Sequence, residues 1–326
     1  MKKIIFIIIV FVSILGFYGC EYEIDYKGDL PKDKLVVASF IEKDSIISFS
    51  LFKSAKPGTY NNEDIFDSEE SADSYADFIS SYVTNAKAEL YIDGVLTQTL
   101  LQATSNNTYT FNTIPRQNQE IEIKLSYKDF NQAIGRANLN LTQPIIDSSS
   151  ITIQEGISSF GLKIYRAVIY LEIRDNGLDN YYQIDPNLIY ENLNDTTKIS
   201  LSNAELLWEN IQGVYQENLS AYETGVNRFG VFSNKKFKGS VYKIKLAIRL
   251  NVDEDSPFRK LTQRLYGNLN VASIEKHAFD YLFTLNRNYN SSYMNEPVII
   301  LDGIENAYGF IGGKCTKRVD NINITF

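Results

Sequence analysis

The sequence predicts a mainly β chain: an N-terminal immunoglobulin/transthyretin-like β-sandwich followed by a larger β-rich domain with two helices. Three observations carry this. From Lys34 onward, apolar residues recur at every second position, as a strand with one buried face requires. An Asp93-Gly94 pair separates two such runs, and Asp-Gly is a strong hairpin signal because a type I′ turn needs positive φ at both central residues. About seven short strands fit into roughly 110 residues, the density of a sandwich.

Residues 34–40 form a short apolar run, and Ile47, Phe49 and Leu51 alternate with Ser48 and Ser50. Ala86, Ala88, Leu90 and Ile92 alternate into the Asp93-Gly94 turn, after which Val95 opens the return strand. Further strands are expected at 109–112, at 120–126 with Ile121, Ile123 and Leu125 inward, and at 133–141. Between them, residues 61–77 are acidic and rich in turn formers. They lack the D-x-[DN]-x-[DN]-G spacing of a calcium loop, so a surface loop is expected. Its Asn61, Glu63, Asp64, Asp67, Glu69, Glu70, Asp73 and Asp77 are the candidate partner-contact residues.

Gln143-Pro144 and then Asp147-Ser148-Ser149-Ser150 interrupt the period. Turn formers clustered in this way predict a boundary, with domains at 34–143 and 150–326. Strands are expected at 151–154, at 164–173 and, after the turn Asp175-Asn176-Gly177, at 181–184. Ser202-Asn203-Ala204-Glu205 reads as a capping box with Leu201 and Leu206 as its hydrophobic staple. It would open a helix near 202–212, with Ala204, Leu207, Trp208 and Ile211 on one face and Gly213 as its stop. Residues 241–250 alternate as a long strand, 274–286 carry Ile274, Ala278, Tyr281, Leu282 and Leu285 at helical spacing, and strands return at 298–301, 308–311 and 322–326.

The first residues read as an address. Lys2 and Lys3 precede an apolar run from Ile4 to Leu15, too short for a permanent membrane helix, so residues 1–19 are expected to be a signal peptide. The run ends in Phe17-Tyr18-Gly19-Cys20, which resembles the lipobox of bacterial lipoproteins, with Cys20 as the acylated residue. Phe17 and Tyr18 are bulkier than the residues usual there. Removing 1–19 takes two lysines and no acid, which deepens the formal charge from −8 to −10. Residues 20–33 begin Cys20-Glu21-Tyr22-Glu23 and pass through Gly28 and Pro31, a solvated lipidated tether. Acids directly after the lipid-bearing Cys resemble the export signals of some Gram-negative lipoproteins, which implies the cell surface rather than the periplasmic face of the outer membrane, and more than one acyl chain makes such anchoring stable.

Composition narrows the chemistry. The 326 residues include two Cys and one His, which cannot supply the two-His ligand sets of most zinc hydrolases or a zinc ribbon. A pI near 4.9 opposes binding to nucleic acid. His277 sits between Ile274 and Tyr281 on its helix and is expected to pack as a structural histidine, and no G-x-S-x-G nucleophile motif accompanies it. With Cys20 acylated, Cys315 is expected to be a buried free thiol. Gly309 to Cys315 imitates a phosphate loop, but the spacing is short and Cys follows Lys314 where Ser or Thr belongs. Asn251 to Ser256 starts like a calcium loop without its Gly or distal Glu. No catalytic, metal or cofactor residue is assigned. A carboxylate pair acting on a glycan is the alternative among forty acids, and a transmembrane barrel ending at Phe326 is a third reading, opposed by the capping box and the lipobox.

Asn295-Glu296-Pro297-Val298 and the run from Ile304 through Gly313 resemble the pattern of domain-of-unknown-function family 4249. So do Lys34-Leu35-Val36-Val37, Val83-Thr84-Asn85-Ala86 leading to Tyr91-Ile92-Asp93-Gly94, Asn180-Tyr181-Tyr182, and Phe237-Lys238-Gly239. The likeness spans nearly the whole mature chain. Ala307 departs from the family's usual Gly, and the 61–77 loop is unusually acidic. The resemblance implies a two-domain β-rich bacterial lipoprotein encoded near TonB-dependent receptors, with such a receptor as partner and no catalytic residues assigned. The function expected is a lipid-anchored binding protein at the cell surface, accessory to a TonB-dependent transporter in substrate capture or uptake, held to the membrane through Cys20.

Overall fold

The computed structural model describes residues 33–54, 82–105, 107–157, 163–193, 198–201, 206–209, 229–235, 237–250, 263–290 and 300–325. These are mainly β, with several sheets and a single helix among the described residues. The strands run β1 (Leu35–Glu42), β2 (Ser48–Ser50), β3 (Phe52–Lys53), β4 (Lys87–Ile92), β5 (Val95–Leu100), β6 (Thr108–Thr110), β7 (Glu120–Ser126) and β8 (Ala133–Asn138). They continue with β9 (Ile145–Ile157), β10 (Lys163–Arg174), β11 (Tyr181–Asn192), β12 (Lys198–Leu201), β13 (Leu206–Glu209), β14 (Val231–Ser233), β15 (Val241–Leu250) and β16 (Gln263–Ile274). The helix α1 (Lys276–Asn290), β17 (Ile304–Glu305) and β18 (Ala307–Thr325) close the order.

Alternation builds the first core. The sheet β17-β8-β7-β4-β5 turns Leu90, Ile121, Ile123 and Leu125 inward. They meet Leu35 and Val37 of β1 and the ring of Phe111. The charged residues between them form the outer face, where Glu122 joins Lys124 and Arg136. The Asp93-Gly94 turn has the positive φ the hairpin needs, 51° and 78°. A second core lies between β13-β15-β10-β9 and the β11–β16 part of the seven-stranded sheet β12-β11-β16-β18-β1-β3, whose seventh strand, β14, pairs with β11 beside that path. There Ile169, Leu171, Ile244 and Leu246 face Ile184 and Val271. A third cluster holds α1, whose Ala278, Phe279 and Leu282 pack with Ile274 and Phe310.

β18 belongs to both large cores. Its first part pairs in parallel with β1, from Leu35↔Ala307 to Glu42↔Lys314. From Lys314↔Ile274 to Thr325↔Arg264 it runs antiparallel to β16. Accordingly Ile311 lies in the first core while Val319 and Ile322 pack on the second. β17 adds to β8 from the same end of the chain, so strands from either side of residue 144 share sheets.

The structure corrects the sequence expectations at several points. Within the helix expected near 202–212, Leu206–Glu209 are strand β13, paired with Lys245 to Ile248 of β15; the other residues of that helix lie outside those described. The open edge of β15 satisfies the main-chain groups of β13, and this tertiary ladder outweighs the local capping signal. The turn-rich stretch expected to break at 143–150 enters β9, whose partner β10 accommodates Asp147 by a register shift at Glu172/Ile173. The strands expected at 308–311 and 322–326 are one strand, because Gly312 and Gly313 continue the ladder rather than ending it. Residues 300–301 of the strand expected at 298–301 are not in a strand. No helix among the described residues is long and apolar enough to cross a membrane, which says nothing of strands.

Glycine is required where β18 crosses β1. Gly309 has φ +106°, and a Cβ there would stand 1.8 Å from the Val37 carbonyl oxygen. Gly309→Ala is expected to cost about 3 kcal/mol or more, or to abolish folding. Gly94→Ala meets nothing within 4 Å at φ +78° and should cost only about 1 kcal/mol. Denaturant unfolding and folded yield compare the two, and equal losses would show that the crossing is not tight.

Candidate functional site

Cys20 and the candidate loop residues Asn61, Glu63, Asp64, Asp67, Glu69, Glu70, Asp73 and Asp77 lie outside the described residues, as do Asn251 to Ser256. Cys315 is buried, and burial pushes its thiol pKa up. Lys314 beside it is no phosphate ligand: its Nζ donates to Gln183 Oε1 at 3.1 Å and lies 5.1 Å from the centre of the Phe40 ring. No group of three His, Cys, Asp or Glu residues capable of holding a metal occurs among the described residues.

The structure does gather polar groups where α1 begins. Glu275 is the N-cap: its carbonyl accepts the Phe279 N–H at 3.0 Å. Its side chain caps no helix donor and instead reaches two strands. Oε1 accepts the Asn138 N–H of β8 at 3.1 Å, and Oε2 accepts the Gly313 N–H of β18 at 2.5 Å. Burial pushes this carboxyl up, and the two N–H donors together with His277 only partly offset it. A side chain at Gly313 would fill the space the carboxylate occupies, its Cβ falling 2.5 Å from the Asn138 carbonyl oxygen and 3.2 Å from Glu275 Oε2.

His277 is the second residue of α1, in its first turn. Its Nε2 lies 2.9 Å from the Ile311 carbonyl oxygen and 3.9 Å from Glu275 Oε2. A carbonyl oxygen only accepts, so Nε2 carries a proton and donates it to Ile311. The expected packing role is therefore incomplete, since the half-buried ring also borders a cleft.

This cleft, about 380 Å3, lies between the Asp93-Gly94 turn, the start of β7, the end of β8 and the first turn of α1. Glu120, Glu122, Arg136, Asn138, Glu275 and His277 supply its polar lining. Arg136 is spoken for: Nε donates to Glu122 Oε2 at 2.8 Å, and Nη1 pairs with Glu305. Burial pushes Glu122 up, but hydrogen bonds and charge from Lys124 and Arg136 outweigh it and hold the carboxyl below its ordinary range. Sequence reading missed this site because its members lie far apart in the chain. The Gly312-Gly313 pair, whose lack of side chains admits both His277 and Glu275, was the available signal.

A second buried carboxylate, Asp175, is structural. Its Oδ1 accepts from Asn180 Nδ2, Tyr182 Oη and Asn234 Nδ2 at 2.8, 3.0 and 2.8 Å. Its Oδ2 accepts from the N–H groups of Gly177 and Gly239 at 2.9 and 2.6 Å. Five donors leave no acceptor for a ligand. Burial alone would raise its pKa, but these bonds, led by Gly239, bring it to about 2.

A family model described as "Domain of unknown function (DUF4249)" matches residues 20–318. No curated protein matches the chain. Among solved structures, a β-glucuronidase from glycoside hydrolase family 2 is similar at 8% identity and a TM-score of 0.22, over 86% of this chain and 22% of that one. Trypsin-activated α2-macroglobulin from Escherichia coli is similar at 7% identity and a TM-score of 0.22, over 76% and 15% of the two chains. Extracellular domains 3–5 of Drosophila OTK give 9% identity and a TM-score of 0.15, over 75% and 95%. The chain thus spans about a fifth of the first of these proteins, and likeness at this level carries nothing about the cleft.

The two carboxylates should act oppositely on stability. Asp175 falls from 3.8 unfolded to about 2 folded, so its contribution, about 2 kcal/mol, is complete above pH 4 and lost as pH falls toward 2. Asp175→Asn should flatten that acid limb in denaturant titrations and lower stability at pH 7. Glu275 is raised above 4.5, so its contribution is greatest below that pH and declines as pH rises through the folded value. Subtracting the pH profile of Glu275→Gln from that of the wild type should expose this opposite slope, and parallel profiles would refute it.

Proposed function

Because the chain belongs to the DUF4249 family over residues 20–318, we propose that it is a lipid-anchored binding protein of the outer membrane, facing the cell surface and serving a TonB-dependent transporter in substrate capture or uptake. One observation carries the reading: the family match begins at Cys20, the residue that the signal pattern independently marks for acylation. Two acyl chains at roughly 0.8 kcal/mol per buried methylene anchor such a protein with no help from its folded part. Within this reading, residues 34–143 are an immunoglobulin- or transthyretin-like sandwich and 150–326 the larger domain. The first core supports the former, with Ile304, Ala307 and Ile311 of β17 and β18 completing it from the later chain. The acidic loop from Asn61 to Asp77 is the partner contact.

The alternative of a surface hydrolase has a specific pair to offer, Glu122 and Glu275 in one cleft with their pKa values pushed apart. Glu122 disfavours it as a base, because both its oxygens are engaged by cations. A glycan panel should show no turnover, and turnover lost in Glu122→Gln or Glu275→Gln would promote this alternative.

Cys20→Ser should move the protein from the membrane pellet to the soluble fraction after ultracentrifugation. Mild-detergent affinity isolation of the wild type should recover a TonB-dependent receptor, and a chain lacking 61–77 should lose it. Recovery of no receptor by the wild type would defeat the accessory role.

A further inference from the structure

We propose that the outer face of the sheet around Asn187, Asn268 and Asn270 binds a neutral saccharide chain, the substrate class of the capture function proposed above, on which this inference rests. Along β11 and β16 alternate residues divide between two faces. Ile184, Leu188, Leu265, Leu269 and Val271 enter the second core, so Asp185, Asn187, Tyr266, Asn268 and Asn270 turn to the opposite face. The register puts Asn187 beside Asn268 and Asp185 beside Asn270. None of the three Asn side chains has a hydrogen bond among the described residues. Asn268 and Asn270 are nevertheless half-buried and stand in β16, a central strand between β11 and β18, where Asn is disfavoured. Residues that break the strand preference and gain no internal hydrogen bond mark a place where function overrides local stability.

The backbone at this place is irregular too. Gly267 has φ +134°, and a Cβ there would fall 2.2 Å from the Asn187 carbonyl oxygen. Between Gly267 and Leu269 the pairing with β18 shifts, so that two residues of β18 oppose Asn268, and bulges of this kind re-aim side chains beside sites. Chemistry then selects the ligand. An amide both donates and accepts, as a hydroxyl does. Charge on the face is matched rather than in excess: Asp185 and Arg318 flank Asn270 in the register, and Glu191 pairs with Lys198 at 3.2 Å. An uncharged ligand with many hydroxyls is complementary to such a face. Tyr266 adds a ring in the next row, held by Arg264, whose guanidinium lies 4.8 Å from the ring centre and donates to Asn323 Oδ1 at 2.9 Å. Asn187, Arg318 and Asn323 are exposed, so the ligand lies along the surface as an extended chain does. A peptide strand is disfavoured, because Pro186 stands between the residues of β11 that pair with β14 and those that pair with β12, and Pro opposes extension of a sheet.

The test uses the full-length lipidated protein in a detergent without a sugar headgroup. Calorimetric titration with maltohexaose, cellohexaose, mannohexaose and xylohexaose should show at least one that binds with a Kd below about 1 mM, unchanged by added salt. Hexagalacturonate and the peptide Ser-Gly-Ser-Gly-Ser-Gly should bind at least about tenfold more weakly. Asn187→Ala and Asn270→Thr should each weaken the bound hexasaccharide by about fivefold or more. Asn270→Thr should do so with an unchanged or higher melting temperature, because Thr suits a strand better than Asn. Thr99→Ala, on the exposed strand β5, should leave the affinity as it is. No saturation by about 10 mM of any hexasaccharide, tighter binding of the peptide or the polyanion, or Asn variants that bind like the wild type would overturn the inference. Receptor recovery is measured on the same preparation: a receptor recovered without sugar binding defeats the sugar site alone, and sugar binding without a receptor defeats the accessory role alone.

Discussion

The fold depends on the backbone ladder that β18 makes on both of its edges. One edge takes β1 in parallel and the other takes β16 antiparallel, with Lys314 the residue at which the two pairings meet. A ladder of this kind works only if neighbouring layers approach the strand closely. Gly309 lets Val37 come near, and Gly312 and Gly313 leave space for α1 and the end of β8. The helix then has a fixed seat on Phe310 and Ile274, and that seat positions Glu275 and His277 at the cleft.

Two carboxylates, Asp175 buried and Glu275 partly so, show how local wiring decides what a charge does. Asp175 sits in a turn where five donors converge and make ionisation favourable despite burial. Glu275 receives two main-chain donors, too few to offset what desolvation costs it. The first is therefore a stabilising lock between the β10–β11 turn and the β14–β15 loop. The second is a clip between layers that holds its geometry at some electrostatic expense. The second borders open volume, and incompletely satisfied polarity is what a binding cleft can use.

Much of the fold was legible because its strands obey their period. The alternating run of β15 and the turns at Asp93-Gly94 and Asp175-Asn176-Gly177 could be read from local chemistry. Local chemistry misled where a distant edge decided the outcome, as at Leu206–Glu209. It was silent on β16, whose Gly267, Asn268 and Asn270 break the β signal although Leu265, Leu269 and Val271 are buried. The cleft was illegible for a related reason: Glu120, Arg136 and Glu275 are neighbours only after β7, β8 and α1 have assembled. Single-chain periodicity encodes which face of an element is apolar and not which element it will meet.

The pairing of β1 with β18 also sets an order of events. Leu35 and Ala307 are partners across most of the sequence, so β1, which pairs early with β3 on one edge, waits on its other edge until β18 has been made. Until then that edge of β1 lacks its ladder, and the first core lacks Ala307 and Ile311. Such a chain commits late and all at once, slowly by the measure of contact order. An unpaired strand edge of this kind is exposed to wrong pairing and aggregation while the chain is incomplete.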